Sequence, residues 1–212
     1  MTDYVSSTHS IDLEPGKSLR PMGMKQTLDV INRMEADRII GRYAIAGAVA
    51  AYNYVEPTVT EDVDILVAFD SGQRLPTGLI TLGPILSYLK EKGYSDFRKE
   101  GLLIEGWAVQ FIPVANDLDA EALAAADEVD LEIHPNEGSV KTRVLRPEHI
   151  VATALRVGRP RDHLRIVQFL EEEAVDTEAL CGVIHRFGLR DAWRTFCHRA
   201  GIVDPCKIKS AL

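Results

Sequence analysis

The run Val63-Ile65-Leu66-Val67 reads as a buried strand, yet Asp62 and Asp64 are set into it. Aspartate is depleted in strands and expensive to desolvate, so two of them beside an apolar strand core call for solvent or a cation. At alternate strand positions both carboxylates leave the same face and can converge on one divalent ion. Upstream, Tyr43 to Ala46 is a short apolar strand that meets Gly47, and "AVAAYNYV" then has helical character before Pro57. Strand, glycine turn, helix and an Asp-bearing strand at about 61–69 thus follow one another directly. Magnesium and similar hard cations take oxygen ligands, commonly one or two carboxylates plus nucleotide phosphates. A glycine turn opening a helix, here Gly47-Ala48, offers backbone N–H groups to the same phosphates. Together these features predict a seat for a triphosphate.

The rest of the chain predicts an α+β protein. A helix is expected from Thr27, as N-cap, to Ile40, stopped by Gly41, and another from Thr81 to Lys92, closed by Gly93. Strands follow at about 97–104 and 107–113, joined at Glu105-Gly106. A helix then begins at Asp119, and "VDLEI" and "VKTRVL" form a hairpin around Pro135-Asn136-Glu137-Gly138. From Pro147 onward four segments, "PEHIVATALRV", "PRDHLRIVQFLEEE", "DTEALCGVIHRFG" and "LRDAWRTFCHRAG", open on Pro or Asp or close on Gly. They predict a C-terminal helical bundle. The expected organisation is a polar tail at 1–23, a mixed α/β part at 24–145 and a helical part at 146–212.

The chain has 32 acidic and 24 basic side chains, a formal net charge of −8, which excludes a general nucleic-acid-coating or anionic-membrane role. Charge is nonetheless segregated. Residues 116–140 hold eight acids and no Lys or Arg, whereas residues 141–165 hold seven bases against Glu148 and Asp162. Complementary solvated faces and a phosphate-facing surface both explain this. Cys181, Cys197 and Cys206 form no CxxC pair, which predicts a reduced compartment, no disulfide framework and no zinc site. With no apolar run long enough for a membrane span and no secretory leader in "MTDYVSSTHSIDLEPGKSLRP", a soluble cytoplasmic protein is expected. The six histidines show no ligand spacing, and Trp193 with Phe196 reads as a helix core stripe.

The stretch "YAIAGAVAAYNYVEPTVTEDVDILV", with its strand-Gly-helix followed by T-x-D-x-D, resembles the opening motif of the nucleotidyltransferase superfamily that includes DNA polymerase beta, in particular its AbiEii-type toxin branch. Downstream, "RVLRPEHIVATALRVGRPRDHLRIVQFL" resembles that branch's C-terminal helical signature. The resemblance implies a nucleotidyltransferase-like mixed sheet flanked by helices. It implies Mg²⁺- or Mn²⁺-dependent transfer of NMP from an NTP to a nucleic-acid or protein hydroxyl, with RNA or a protein as acceptor, and a toxin role beside a neighbouring antitoxin partner. On that reading Asp62 and Asp64 hold the metal, while Gly47, Ala48 and Thr60 adjoin the nucleotide. Arg159 and Arg161 take the family's basic positions near the phosphates, with Asp162 orienting them.

This sequence also departs from the family pattern. The first turn carries Ala48 in place of Gly or Ser, the family's arginine shortly before the T-x-D-x-D step is replaced by non-basic residues around Thr58, and the lysine expected one turn before "GRPRD" falls at about Ala154. The third carboxylate of active members, which completes a second metal site, corresponds to Gln110 in "GWAVQFIPV". Glu100 or Glu105 could replace it only by reaching the cluster. Three readings follow: a nucleotidyltransferase, a catalytically impaired nucleotide-binding module, and an interaction protein that keeps only the fold.

Overall fold

The computed structural model describes residues 23–69, 81–132 and 138–207. The expected N-terminal tail, apart from Gly23, and the turn residues Pro135, Asn136 and Glu137 lie outside the described residues. The chain runs through α1 (Met24–Ala36), β1 (Tyr43–Ala46), α2 (Gly47–Ala51), β2 (Asp62–Val67), α3 (Gly83–Glu91), β3 (Phe97–Arg98), β4 (Gly101–Ile104) and β5 (Trp107–Pro113). It continues with α4 (Asp117–Ala124), β6 (Asp127–Glu132), β7 (Ser139–Val144), α5 (Pro147–Val157), α6 (Pro160–Glu171), α7 (Thr177–Arg186) and α8 (Arg190–Ala200). The strands form one mixed sheet in the order β3-β4-β5-β2-β1-β7-β6. This is the α+β arrangement expected, a mixed sheet with helices followed by a helical C-terminal part.

The sheet's centre positions the site. β2 pairs antiparallel with β1, Asp64 opposite Ala46, and parallel with β5, Asp64 opposite Gln110. Val63, Ile65 and Val67 occupy the other face of β2 and are fully buried, each contributing roughly 1.5–3 kcal/mol by leaving water. Thus β2 is locked in register by its odd residues, which obliges Asp62 and Asp64 to share the remaining face. A single hydrophobic cluster runs from Met24 through the sheet to Ile166, Phe169, Trp193 and Phe196, so α6 and α8 are anchored to the same core as β2. No helix among the described residues is long and apolar enough to cross a membrane.

Several local expectations are corrected. Thr27 is not an N-cap: α1 starts earlier, at Met24, and the buried Thr27 hydroxyl donates to the Ile104 carbonyl at 2.9 Å, tying α1 to β4. The helix also ends at Ala36 instead of Ile40. Arg38 takes a left-handed conformation, φ 57°, with its N–H on the Glu35 carbonyl and that of Ile39 on Met34, the two bonds of a Schellman stop. The helix expected to begin at Asp119 begins at Asp117 with Asn116 as cap, because Asn116 Oδ1 accepts from the Asp119 N–H at 3.1 Å.

The expectation of no disulfide is also overturned. Cys181 on α7 and Cys206 in the segment after α8 are bonded, with Cα atoms 5.3 Å apart, because that segment folds back onto α7. Trp193 Nε1 and the Cys206 N–H both donate to Asp204 Oδ1, at 2.8 and 2.9 Å, and hold the return in place. Cys197 stays free and buried, its thiol pushed up to about 11 by desolvation.

Candidate active site

At the N-terminal end of β2 the even face opens, leaving Asp62 and Asp64 partly exposed while Leu66 beyond them is buried. The β1-to-α2 turn sits directly against Asp64. Gly47 has φ +62°, and a Cβ there would stand only 2.1 Å from Asp64 Oδ2. Only glycine accommodates both the backbone angle and the carboxylate. With only five residues, α2 sums few peptide dipoles, so what Gly47 demonstrably supplies is space for Asp64. Ala48, next in the turn, lines the cleft.

Thr60 meets Asp62 from the approach to β2, its Oγ1 donating to Asp62 Oδ1 at 2.5 Å. The segment carrying Thr58, Val59 and Thr60 is fixed at several points. Tyr52 Oη donates to the Thr58 carbonyl at 2.5 Å. Gln168 Nε2, on α6, donates to the Glu56 carbonyl at 2.8 Å, and Glu172 accepts from the Glu56 N–H at 3.0 Å. These bonds set the separation between this wall and α6.

The second wall is one face of α6. Arg161, Leu164, Arg165 and Gln168 recur at helical spacing, and Arg159 stands at its N-cap. Asp162, 2% exposed, accepts from Arg159 Nε at 2.9 Å, from the Arg159 backbone N–H at 3.2 Å and from an Arg165 guanidinium nitrogen at 3.5 Å. It therefore braces Arg159 and Arg165, and not Arg161 as the sequence reading had it. Arg161 forms no ion pair among the described residues, nor do Asp62 and Asp64. Together these walls enclose a cleft of about 270 Å³ lined by both aspartates, Ala48, Thr60 and the three arginines.

The electrostatics of the cleft set two neighbouring carboxylates against three arginines. Burial, and secondly repulsion from Asp62, hold the Asp64 carboxyl above its usual range, opposed by Arg165, Arg159 and Arg161. Arg165 is lowered from the ordinary arginine value by burial, with Asp162 and Asp64 acting against the shift. Arg159 is raised by its hydrogen bond to Asp162. Among the described residues no three His, Cys, Asp or Glu side chains form a metal-binding group. A cation held by Asp62 and Asp64 would thus complete its shell from phosphate or water oxygens, the mode magnesium favours.

Gln110 stands in register with Asp64 on β5, as the sequence places it, although its side chain is not among those lining the cleft. Neither proposed replacement enters. Glu105 accepts from the Tyr94 hydroxyl, and Glu100 lies in the turn between β3 and β4. Arg165 and Gln168 were missed by sequence reasoning, though the i, i+4, i+7 spacing from Arg161 carries the signal.

The basic run divides into two groups. Arg143 pairs with Glu35 and Glu128, Arg146 with Asp127, and Arg156 with Asp119. Those arginines cement β7 and α5 to their acidic neighbours, whereas Arg159, Arg161 and Arg165 face the cleft.

No protein-family model matches the chain, and no curated protein matches it. Among the solved structures that resemble it are two nucleotidyltransferase-type folds of low identity. One is an antigenic nucleotidyltransferase-like protein from Paracoccidioides brasiliensis, at 17% identity and TM-score 0.44 over 74% of this chain and 76% of that one. The other is the antibiotic-resistance factor ANT(2'')-Ia, at 17% identity and TM-score 0.44 over 82% of this chain and 96% of that one. Neither resemblance carries a residue role, a ligand or an activity over to this chain.

Proposed function

We propose that this protein is a nucleotidyltransferase that binds an NTP with Mg²⁺ or Mn²⁺ and transfers the nucleoside monophosphate to an RNA or protein hydroxyl. One observation carries the reading: two adjacent carboxylates face three arginines across a single cleft. A divalent ion of charge +2 would balance Asp62 and Asp64, at −2. Arg159, Arg161 and Arg165 then contribute +3 against −1 from Asp162, a net +2 facing a polyanion. Such an arrangement favours a triphosphate over a neutral ligand.

The cation would be held by Asp62 and Asp64 and would supply charge neutralisation on the phosphate oxygens it shares. The chain's own residues do the rest. Thr60 fixes the Asp62 carboxylate through its hydroxyl, and Gly47 leaves room for Asp64. Arg165 and Arg159, held by Asp162, present donors in fixed positions, and Arg161 adds an unpaired one. These guanidinium groups stabilise the charge that builds on departing pyrophosphate as the acceptor oxygen bonds to the α-phosphorus, the bond from that phosphorus to the β-phosphate oxygen breaks, and the hydroxyl proton passes to solvent water.

Gln110 favours a second reading. A carboxamide next to Asp64 offers an oxygen but no charge, so the nucleophile would lack the base a third carboxylate provides. A nucleotide-binding module with little or no transfer activity fits that observation. The two readings separate in one experiment. Calorimetric titration of the four NTPs with and without Mg²⁺ or Mn²⁺, on wild type and Asp64→Asn, tests binding, and α-labelled NTP with cellular RNA and protein tests transfer. Metal-dependent binding with label incorporation supports the enzyme; binding alone supports the module; no binding to any NTP refutes both.

A further inference from the structure

Two large apolar side chains stand out in the otherwise polar cleft. Val59 is 74% exposed and Leu164 is 72% exposed, and both line it. Single exposed apolar residues are ordinary on a protein surface, but here two share a concave site with the carboxylates and arginines. Val59 belongs to the segment before β2 and Leu164 to the face of α6 between Arg161 and Arg165. Gln168 donates to the Glu56 carbonyl and Glu172 accepts from the Glu56 N–H, so the segment that carries Val59 is tied to the helix that carries Leu164.

We propose that Val59 and Leu164 clasp the faces of the nucleobase, and that the cleft consequently accepts all four NTPs with little base discrimination. This rests on the triphosphate reading given above. With phosphates drawn to the arginines and the cation to the aspartates, the apolar pair is the part of the same cleft suited to a flat, poorly hydrated ring. The means of reading a base edge are few. Gln168 already donates its amide hydrogens to the Glu56 carbonyl and to Glu172, at 2.8 Å each, and Thr60 donates to Asp62. The Thr58 carbonyl accepts from Tyr52. A site that grips by apolar contact separates ligands weakly, whereas one built from hydrogen bonds to the ligand separates them by orders of magnitude.

The test is a set of calorimetric titrations, in Mg²⁺, of ATP, GTP, CTP, UTP and inorganic tripolyphosphate. The proteins are wild type, Val59→Ser/Leu164→Ser and the conservative Leu164→Met. The expected result is four NTP affinities within about tenfold of each other, and a loss of roughly tenfold for every NTP in the double serine variant. Tripolyphosphate affinity should stay unchanged in that variant, and Leu164→Met should behave as wild type. Because both side chains are exposed, unchanged thermal unfolding shows that the fold is intact. Equal changes for NTPs and tripolyphosphate, no change for either, or a preference for one base beyond about 100-fold overturns the proposal. Failure of tripolyphosphate to bind wild type refutes the triphosphate seat itself, a distinct result that removes this inference with it.

Discussion

Replacing Gly47 with alanine tests whether the turn exists to house the Asp64 carboxylate. The substitution places a Cβ at φ +62°, which costs about 1–2 kcal/mol for a residue other than glycine. It also puts that Cβ 2.1 Å from Asp64 Oδ2, so the carboxylate must move out of its niche, at an overpacking cost of about 1–3 kcal/mol. The sum is about 2–5 kcal/mol, a fall in Tm of roughly 5–15 °C for a chain of this size. Only the backbone part should survive when Asp64→Ala has already emptied the niche. A double-mutant cycle on metal-free protein, read by urea unfolding, should therefore give a coupling of about 1–3 kcal/mol between the two positions. In parallel, Gly47→Ala should abolish Mn²⁺ binding measured by calorimetry. Equal costs in the two backgrounds would refute the packing argument, and Mn²⁺ binding retained by Gly47→Ala would refute the role of Asp64 as a ligand in that position.

Three further outcomes follow from the same geometry. Because the folded-state carboxyl of Asp64 lies above its usual range, wild-type stability should fall as pH rises through the interval between its unfolded and folded values, and Asp64→Asn should escape that loss. In EDTA the variant should unfold at a higher temperature than wild type at neutral pH, the gap closing in acid, while losing any metal-dependent stabilisation; a lower Tm at neutral pH would contradict the assignment. Arg161→Ala should leave stability within about 0.5 kcal/mol, yet weaken NTP binding roughly 10- to 100-fold, whereas Arg165→Ala, which strips the buried Asp162 of one partner, should lower both. Gln110→Asp, which sets a third carboxylate beside Asp64, should destabilise metal-free protein and raise any metal-dependent label incorporation; a variant inert in both assays would show that position 110 does not face the cluster.

What could be read directly from the sequence were the features with local causes. The C-terminal helices came out nearly to the residue because Pro147, Pro160, Asp176, Gly158 and Gly201 mark their ends. The pairing of Asp62 with Asp64 followed from the two-residue period of a strand, and the position of Gln110 from the same parity. The end of α1 was hidden because Arg38, and not glycine, takes the left-handed position of its Schellman stop. The disulfide was hidden for a different reason. Its cysteines are 25 residues apart, and only the return of the chain after α8 onto α7 brings them together.

The arginines show where the boundary between the two kinds of feature falls. From sequence alone, residues 141–165 are one basic run, and nothing local distinguishes a structural guanidinium from a ligand-facing one. The difference is set by the partner each finds. Arg143, Arg146 and Arg156 meet carboxylates from α1, β6 and α4, elements that precede them in the chain and that the fold packs against them, and are neutralised. Past the break at Gly158 the direction of the chain changes, and α6 carries Arg161 and Arg165 away from that acidic surface toward β2. The acids met there are Asp62 and Asp64, which form no ion pair with them, and Asp162, a single charge engaging Arg159 and Arg165. The three arginines and three aspartates of the cleft balance in sum, yet among the described residues Asp62, Asp64 and Arg161 form no ion pair, so like charges stay clustered on opposite walls, an arrangement a purely structural surface has no need of. A cation on the aspartate wall and a polyanion on the arginine wall would satisfy both clusters at once, and it is the turn at Gly158 that sets those walls opposite each other.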